Sequence, residues 1–428
     1  MLTFHNWRKW IRSKPVIHKW FIFLVLFRPV IDSFYSLKRI SPITSPLYIT
    51  AVLTAVFCVI GILIGPKRVG SYATDRFFAV WALIGLINMA FLLTMQSDVV
   101  TALEVLLRYT MPFYLYFFIR AFIQNRNDFL HILQTFLYSE IFVAVVFIYE
   151  VVRGPVRTEA SRGFQRYVGV FADNYNYSFF ISLVLLTFTY LYLSRHQFGI
   201  KRLWLWILLG LEILFLSRVV HIATWGIFIF TFIWFLYNIS VIQKRTFLLI
   251  VLLVVISYNY WGHSIKEQYL APMTEDEVAV LQGNKPIERF GHGRMSRWSI
   301  MIPEWESASF AGKLLGLPVE LDRKYIHFVS AVVHNDFLRI TFLFGLMGLA
   351  CFLSILFSIY KRARKIDSRD RYIAFGSIVI FCLYAVSGTP LMYSQLQYIL
   401  YAIFAYVLLP EKLRKATSPI IDQQSSKI

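Results

Sequence analysis

Apolar runs of about 18–25 residues alternate with short polar segments along most of the chain. Each run is long enough to cross about 30 Å of hydrocarbon as a helix rising 1.5 Å per residue. The pattern predicts about twelve crossings, at 20–37, 47–65, 76–96, 99–122, 129–151, 176–194, 203–217, 219–239, 246–261, 332–358, 372–388 and 394–410. It breaks once, over 262–331, where acidic, basic, glycine and proline residues mix. That stretch is expected to fold as a partly helical cap between helices nine and ten. The chain then divides into a segment 1–19, helices one to nine over 20–261, the cap over 262–331, helices ten to twelve over 332–410, and a tail 411–428. Repeats of the kind found in many transporters are missing.

Composition strengthens this reading. Apolar residues make up 58%, charged residues only 16%, and mean hydropathy is +0.60, whereas soluble domains are about one quarter charged. The fold class is an all-α integral membrane protein. A net charge of +19 raises the question of nucleic acid, but its distribution answers it. Basic residues fall mainly in short segments such as Lys67, Arg68 and Arg76, or Lys361, Arg362, Arg364 and Lys365, as the positive-inside rule expects of cytoplasmic loops. The opposite loops 38–46, 96–98 and 389–393 carry only Lys38 and Arg39. Both termini are therefore expected in the cytoplasm, with the bilayer rather than nucleic acid as partner. The opening "MLTFHNWRKWIRSKPVIHKW" is basic and aromatic with no small-residue cleavage site after it, which predicts a retained interfacial segment. Cys58, Cys351 and Cys382 all lie in apolar runs, so no disulfide framework is expected.

Polar residues that break these patterns are the candidates for chemistry. Loop 152–175, "VRGPVRTEASRGFQRYVGVFADNY", carries Arg153, Arg157, Arg162 and Arg166 on the side that should be poor in arginine. Crossing seven, at about 15 residues, spans roughly 23 Å, which predicts that the turn at "LFLSRVV" and its Arg218 lie below the membrane surface. An arginine at that depth is a functional candidate by default, with snorkelling to headgroups as the plainer account. In "VVHNDFLRITFLFGLMGLACFL" His334, Asn335 and Asp336 stand at the mouth of crossing ten. Asn and Asp are good helix N-caps, but a cap does not require the histidine. Arg339 is expected to pair inside the bundle, and Arg28 with Asp32, four residues apart, to form an ion pair. P-loop, Rossmann and zinc signatures are missing, as are paired carboxylates in an early outer loop, so no metal or other cofactor is expected. What remains is arginines and one histidine: Arg162 or Arg166, Arg218, Arg294 or Arg297, and His334. Guanidiniums hold phosphate bidentately. A histidine near several arginines stays neutral, which suits a general base. Together they fit a lipid pyrophosphate donor attacked by a hydroxyl.

"HNDFLRITFLFGLMG" has His334-Asn335, then Leu338, Gly345 and Gly348, and resembles the H-N-x-x-L-x(6)-G-x-x-G signature of the O-antigen ligase and O-antigen polymerase superfamily. Arg294, Trp298 and Gly316 are similar to that family's R-x-x-x-W helix and following glycine. Arg166, Gly169 and Phe171 resemble its R-x-x-G-x-F segment, and Ser217-Arg218 its S-R turn. The motifs follow in family order. "DNYN" replaces the usual proline-asparagine after R-x-x-G-x-F, and Val219 stands where glycine usually follows S-R. The resemblance implies a GT-C-like glycosyltransferase of the bacterial inner membrane with its site facing the periplasm. Its donor would be a glycan on undecaprenyl pyrophosphate. His334 would act as base and Arg166, Arg218 and Arg294 would bind pyrophosphate, with Asn335, Asp336, Arg162, Arg297 and Trp298 in support. Polymerisation of O-antigen or exopolysaccharide repeat units is the leading expectation, alongside other polysaccharide-export proteins. Transfer to lipid A–core by a ligase, and non-enzymatic transport of lipid-linked glycan, are the alternatives.

Overall fold

The computed structural model describes residues 3–41, 44–64, 73–95, 99–155, 158–161, 164–171, 173–194, 202–219, 222–242, 271–317, 333–392 and 394–415, with isolated positions between 243 and 270. A helix lies over each expected crossing except 246–261, which falls outside the continuously described residues. Six helices among the described residues are long and apolar enough to cross a membrane. The protein is an all-α membrane protein whose described residues include one two-stranded hairpin.

The helices begin where polar side chains replace missing backbone partners. Thr3 caps α1 (Phe4–Arg12) by accepting from the Asn6 amide at 3.2 Å. On α1, Trp7 and Trp10 lie three apart on one face. Both are buried, and their indole N–H groups donate to Thr135 Oγ1 and Asp128 Oδ1, each at 2.9 Å. The basic N-terminal segment is thus docked on a membrane helix. α2 (Val16–Ser33) carries the expected pair, Arg28 Nε to Asp32 Oδ1 at 2.9 Å. Next come α3 (Leu37–Ile40), α4 (Pro46–Ile64), α5 (Ala73–Met95), α6 (Val99–Phe122) and α7 (Arg126–Arg153). The loop after α7 contains β1 (Thr158–Ser161) and β2 (Phe164–Tyr167), paired antiparallel with Glu159 opposite Arg166.

α8 (Asn174–Leu193), capped by Asp173, is buried over its whole apolar length. It packs against α7, α9 (Arg202–Val219), α10 (Ile222–Ile242), α15 (Ser368–Ser387) and α16 (Ser394–Val407). A helix hydrophobic all round belongs at the centre of a bundle, and α8 is there. At the end marked by Lys361 and Arg362, Asp370 accepts from Tyr190 at 2.8 Å and from Tyr406 at 2.5 Å, and Arg126 reaches it at 3.4 Å. One carboxylate thereby joins α7, α8, α15 and α16 at the end of the bundle away from His334.

The cap forms α11 (Ala271–Leu281), α12 (Phe290–Ser307) and α13 (Phe310–Leu315). α13 is wedged against α14 (Asp336–Ala363). The chain leaves α13 at Gly316 with φ +115°, and α14 is kinked at Gly345 with φ +67°. A Cβ on Gly316 would strike the Leu343 carbonyl, and one on Gly345 the Leu314 carbonyl. Asn88 of α5 donates to the Leu315 carbonyl at 2.7 Å, closing the joint from the other side. A short α17 (Glu411–Lys415) follows α16.

Candidate active site

Val333 to Asn335 form a short non-helical stub leading into α14, and His334 lies at its centre. Its φ is +43°, the one non-glycine in the left-handed region among the described residues. That conformation costs roughly 1–3 kcal/mol and persists only where the surroundings impose it. Both neighbours impose it here. Val333 is buried, and its carbonyl accepts from the Trp298 indole N–H at 3.1 Å. Asn335 is held as N-cap, its Oδ1 accepting from the Leu338 amide at 3.1 Å. His334 is exposed, and its ring has no hydrogen-bond partner among the described residues.

Asp336 is fully buried, takes Arg339 Nη2 at 2.6 Å and accepts from the Leu391 amide at 2.7 Å. The pair anchors the first turn of α14 to the loop before α16, and it accounts for the arginine inside crossing ten.

Arg294, Arg297 and Trp298 sit at i, i+3 and i+4 on α12, hence on one face. With Trp298 bonded to Val333, that face is turned toward His334. Crowding by protein atoms, then the charges of Arg297 and Arg294, lower the His334 imidazole from 6.5 to about 4. The ring is neutral at physiological pH, beside two fixed cations and open on one side. Burial lowers Arg294 as well, while the Tyr175 phenol acts in the opposite sense.

Tyr175 is a member of this cluster that the sequence reading missed. Its hydroxyl donates to the Tyr384 carbonyl at 2.9 Å, and its ring fills the space where a Cβ on Gly388 would stand. The signal lay in "DNYN", the polar stretch that begins with the capping Asp173. The neighbouring Asn174 donates to the Val219 carbonyl at 2.6 Å, so it ties α8 to the end of α9. Adjacent residues of α8 therefore join the Arg294 cluster to the helix end that carries Arg218.

α9 runs for 18 residues to Val219, about 27 Å, and Arg218 lies in its last turn, just ahead of α10 at Ile222. The Arg218 side chain is exposed, and it is not among the groups acting on His334 or Arg294. Arg166 stands on β2 opposite Glu159, and Arg162 lies outside the described residues. The segment after Arg166 is firmly set. Gly169 takes φ +58°, and Phe171 is buried with its ring stacked on Tyr177 at 5.4 Å. The structure thus brings together His334, Arg294, Arg297 and Trp298, adds Tyr175, and leaves Arg166 and Arg218 on neighbouring elements.

Chemically, the cluster offers a neutral acceptor of protons and a face with two guanidiniums at the mouth of a membrane bundle. The chain matches no family model and no curated protein.

Proposed function

We propose that the protein is a membrane glycosyltransferase that polymerises lipid-linked glycan repeat units, with a polyprenyl-pyrophosphate glycan as donor. The observation that carries the reading is His334: a neutral imidazole on a strained backbone, exposed and acted on by Arg297 and Arg294. In this reading Arg294 and Arg297 take the donor pyrophosphate through paired N–H groups. The acceptor sugar hydroxyl attacks the anomeric carbon, its oxygen forming the new glycosidic bond. The bond from that carbon to the pyrophosphate oxygen breaks, and the pyrophosphate leaves with the electron pair. His334 takes the hydroxyl proton. Binding the anion offsets the two guanidinium charges, so the imidazole becomes more basic as the donor arrives. Catalysis rests on positioning and on stabilising charge at the leaving group. The bundle would have about twelve crossings in a GT-C-like arrangement, with the His334 end facing the periplasm of a bacterial inner membrane and both termini cytoplasmic.

The test is the glycan profile of a deletion strain together with transfer by purified protein. Loss of the polymerase leaves single repeat units on lipid or at the surface, and the purified protein lengthens lipid-linked repeats without other components. Accumulation of long chains on the lipid carrier would contradict this reading, since it marks a ligase. Absence of transfer with transport retained would contradict it too.

A further inference from the structure

Glu140, halfway along α7, and Glu212 of α9 face each other inside the bundle. Both are buried, at 2% and 1% exposure. As ionised carboxylates they lack the partners such depth requires. Neither Glu140 oxygen has a donor among the described residues, and neither has Glu212 Oε2. Apart from burial, the group that acts on each is the other. A third polar atom points to the same place. Tyr177 of α8 is fully buried, its hydroxyl has no partner among the described residues, and it senses Glu140, Glu212 and Glu150. Two uncompensated carboxylates at membrane depth are very costly, and buried polar atoms rarely go unpaired. Adding a proton to one carboxyl resolves the conflict. It removes the like charge and supplies the donor for a hydrogen bond between Glu140 and Glu212.

We propose that Glu140 and Glu212 form an intramembrane proton-binding site, with Tyr177 as its third member. Packing also links the site to the loop before α8. The Tyr177 ring stacks on Phe171 and lies against the Cα of Gly169, in the segment that follows Arg166. Loss of the proton would leave like charges between α7 and α9 and disturb the support of that segment. The inference does not depend on the glycosyltransferase reading, because its test uses no turnover.

The experiment is infrared difference spectroscopy on the full-length protein in lipid nanodiscs at neutral pH. Wild type is expected to show a protonated-carboxyl stretch that shifts on deuteration, and the isosteric double variant Glu140→Gln/Glu212→Gln is expected to lose it. Dicyclohexylcarbodiimide, which reacts with protonated carboxyls in apolar surroundings, should label Glu140 or Glu212 in wild type, less as pH rises. A wild-type spectrum without the band, or a band unchanged in the double variant, would overturn the proposal. So would a band abolished by added sodium or calcium, which would mean that a metal cation occupies the pair instead.

Discussion

At position 334 two demands conflict. A helix start with positive φ favours asparagine, which enters the left-handed region more readily than histidine, yet the chain keeps an imidazole there. Its protonation equilibrium carries a prediction. The neutral form persists as pH falls from 6.5 toward about 4, so the ring's contribution to stability is complete above 6.5 and lost across that interval. The acid limb of kcat/KM, which reports the free enzyme, is therefore expected near pH 4. The limb of kcat should lie higher, because bound pyrophosphate offsets Arg294 and Arg297. A pH–rate profile with both limbs at 6.5 would contradict this. The arginines are distinguished by geometry. Arg294→Lys and Arg297→Lys keep the charge but lose the fork, at roughly 1.5–3 kcal/mol, about tenfold or more in kcat/KM. Arg218→Lys is expected to cost less, since Arg218 does not act on His334. Initial-rate kinetics of the three variants checks the ranking.

Among the elements, the joint between α13 and α14 matters most for placing the site. Gly316 and Gly345 both need positive φ, and each is pressed against backbone of the other helix. Alanine at either position meets strain and collision together, so a loss of about 2 kcal/mol or more is expected, read as a lower Tm in detergent. Gly210, in the middle of α9 with open space around it, is the control. Alanine there removes backbone freedom from the unfolded chain and should gain up to about 1 kcal/mol. Equal effects at the three glycines would contradict the joint. The sequence marks Gly345 and Gly348 only as glycines of the motif after His334, and does not show what packs against them. The partner of Gly345 is the cap, about thirty residues earlier in the chain, and linear pattern does not carry that distance. Ser217 and Arg218 stand where the sequence places a polar break, and α9 ends one residue later with Arg218 in its last turn, where a cation is favourable.

For the whole molecule, apolar periodicity made the membrane helices legible, because crossing length is set by the bilayer rather than by tertiary contacts. The pairing of His334 with α12 was legible only as two separate motifs. The Trp298–Val333 hydrogen bond that unites them is a long-range contact. Tyr175 and the Glu140–Glu212 pair were missed because each residue is ordinary in its own segment and acquires meaning from a neighbour on another helix. Orientation is a prediction at this scale. Basic loops on one side predict that the hairpin and the cap lie outside. Cysteine introduced at Glu159 or at the exposed Gln282 should react with an impermeant thiol reagent in intact spheroplasts. Protection at either position until lysis would reverse the assignment.

The central claim is that His334 accepts a proton, and His334→Asn tests it most directly. Asparagine tolerates the left-handed backbone and serves a helix start well, so expression and Tm should be equal to wild type or better. Donor binding should be retained, since Arg294 and Arg297 remain. Transfer by the purified protein should fall about 10²–10⁴-fold, the usual contribution of general acid–base catalysis. Wild-type turnover in His334→Asn would contradict the account and leave the histidine as part of the helix start alone.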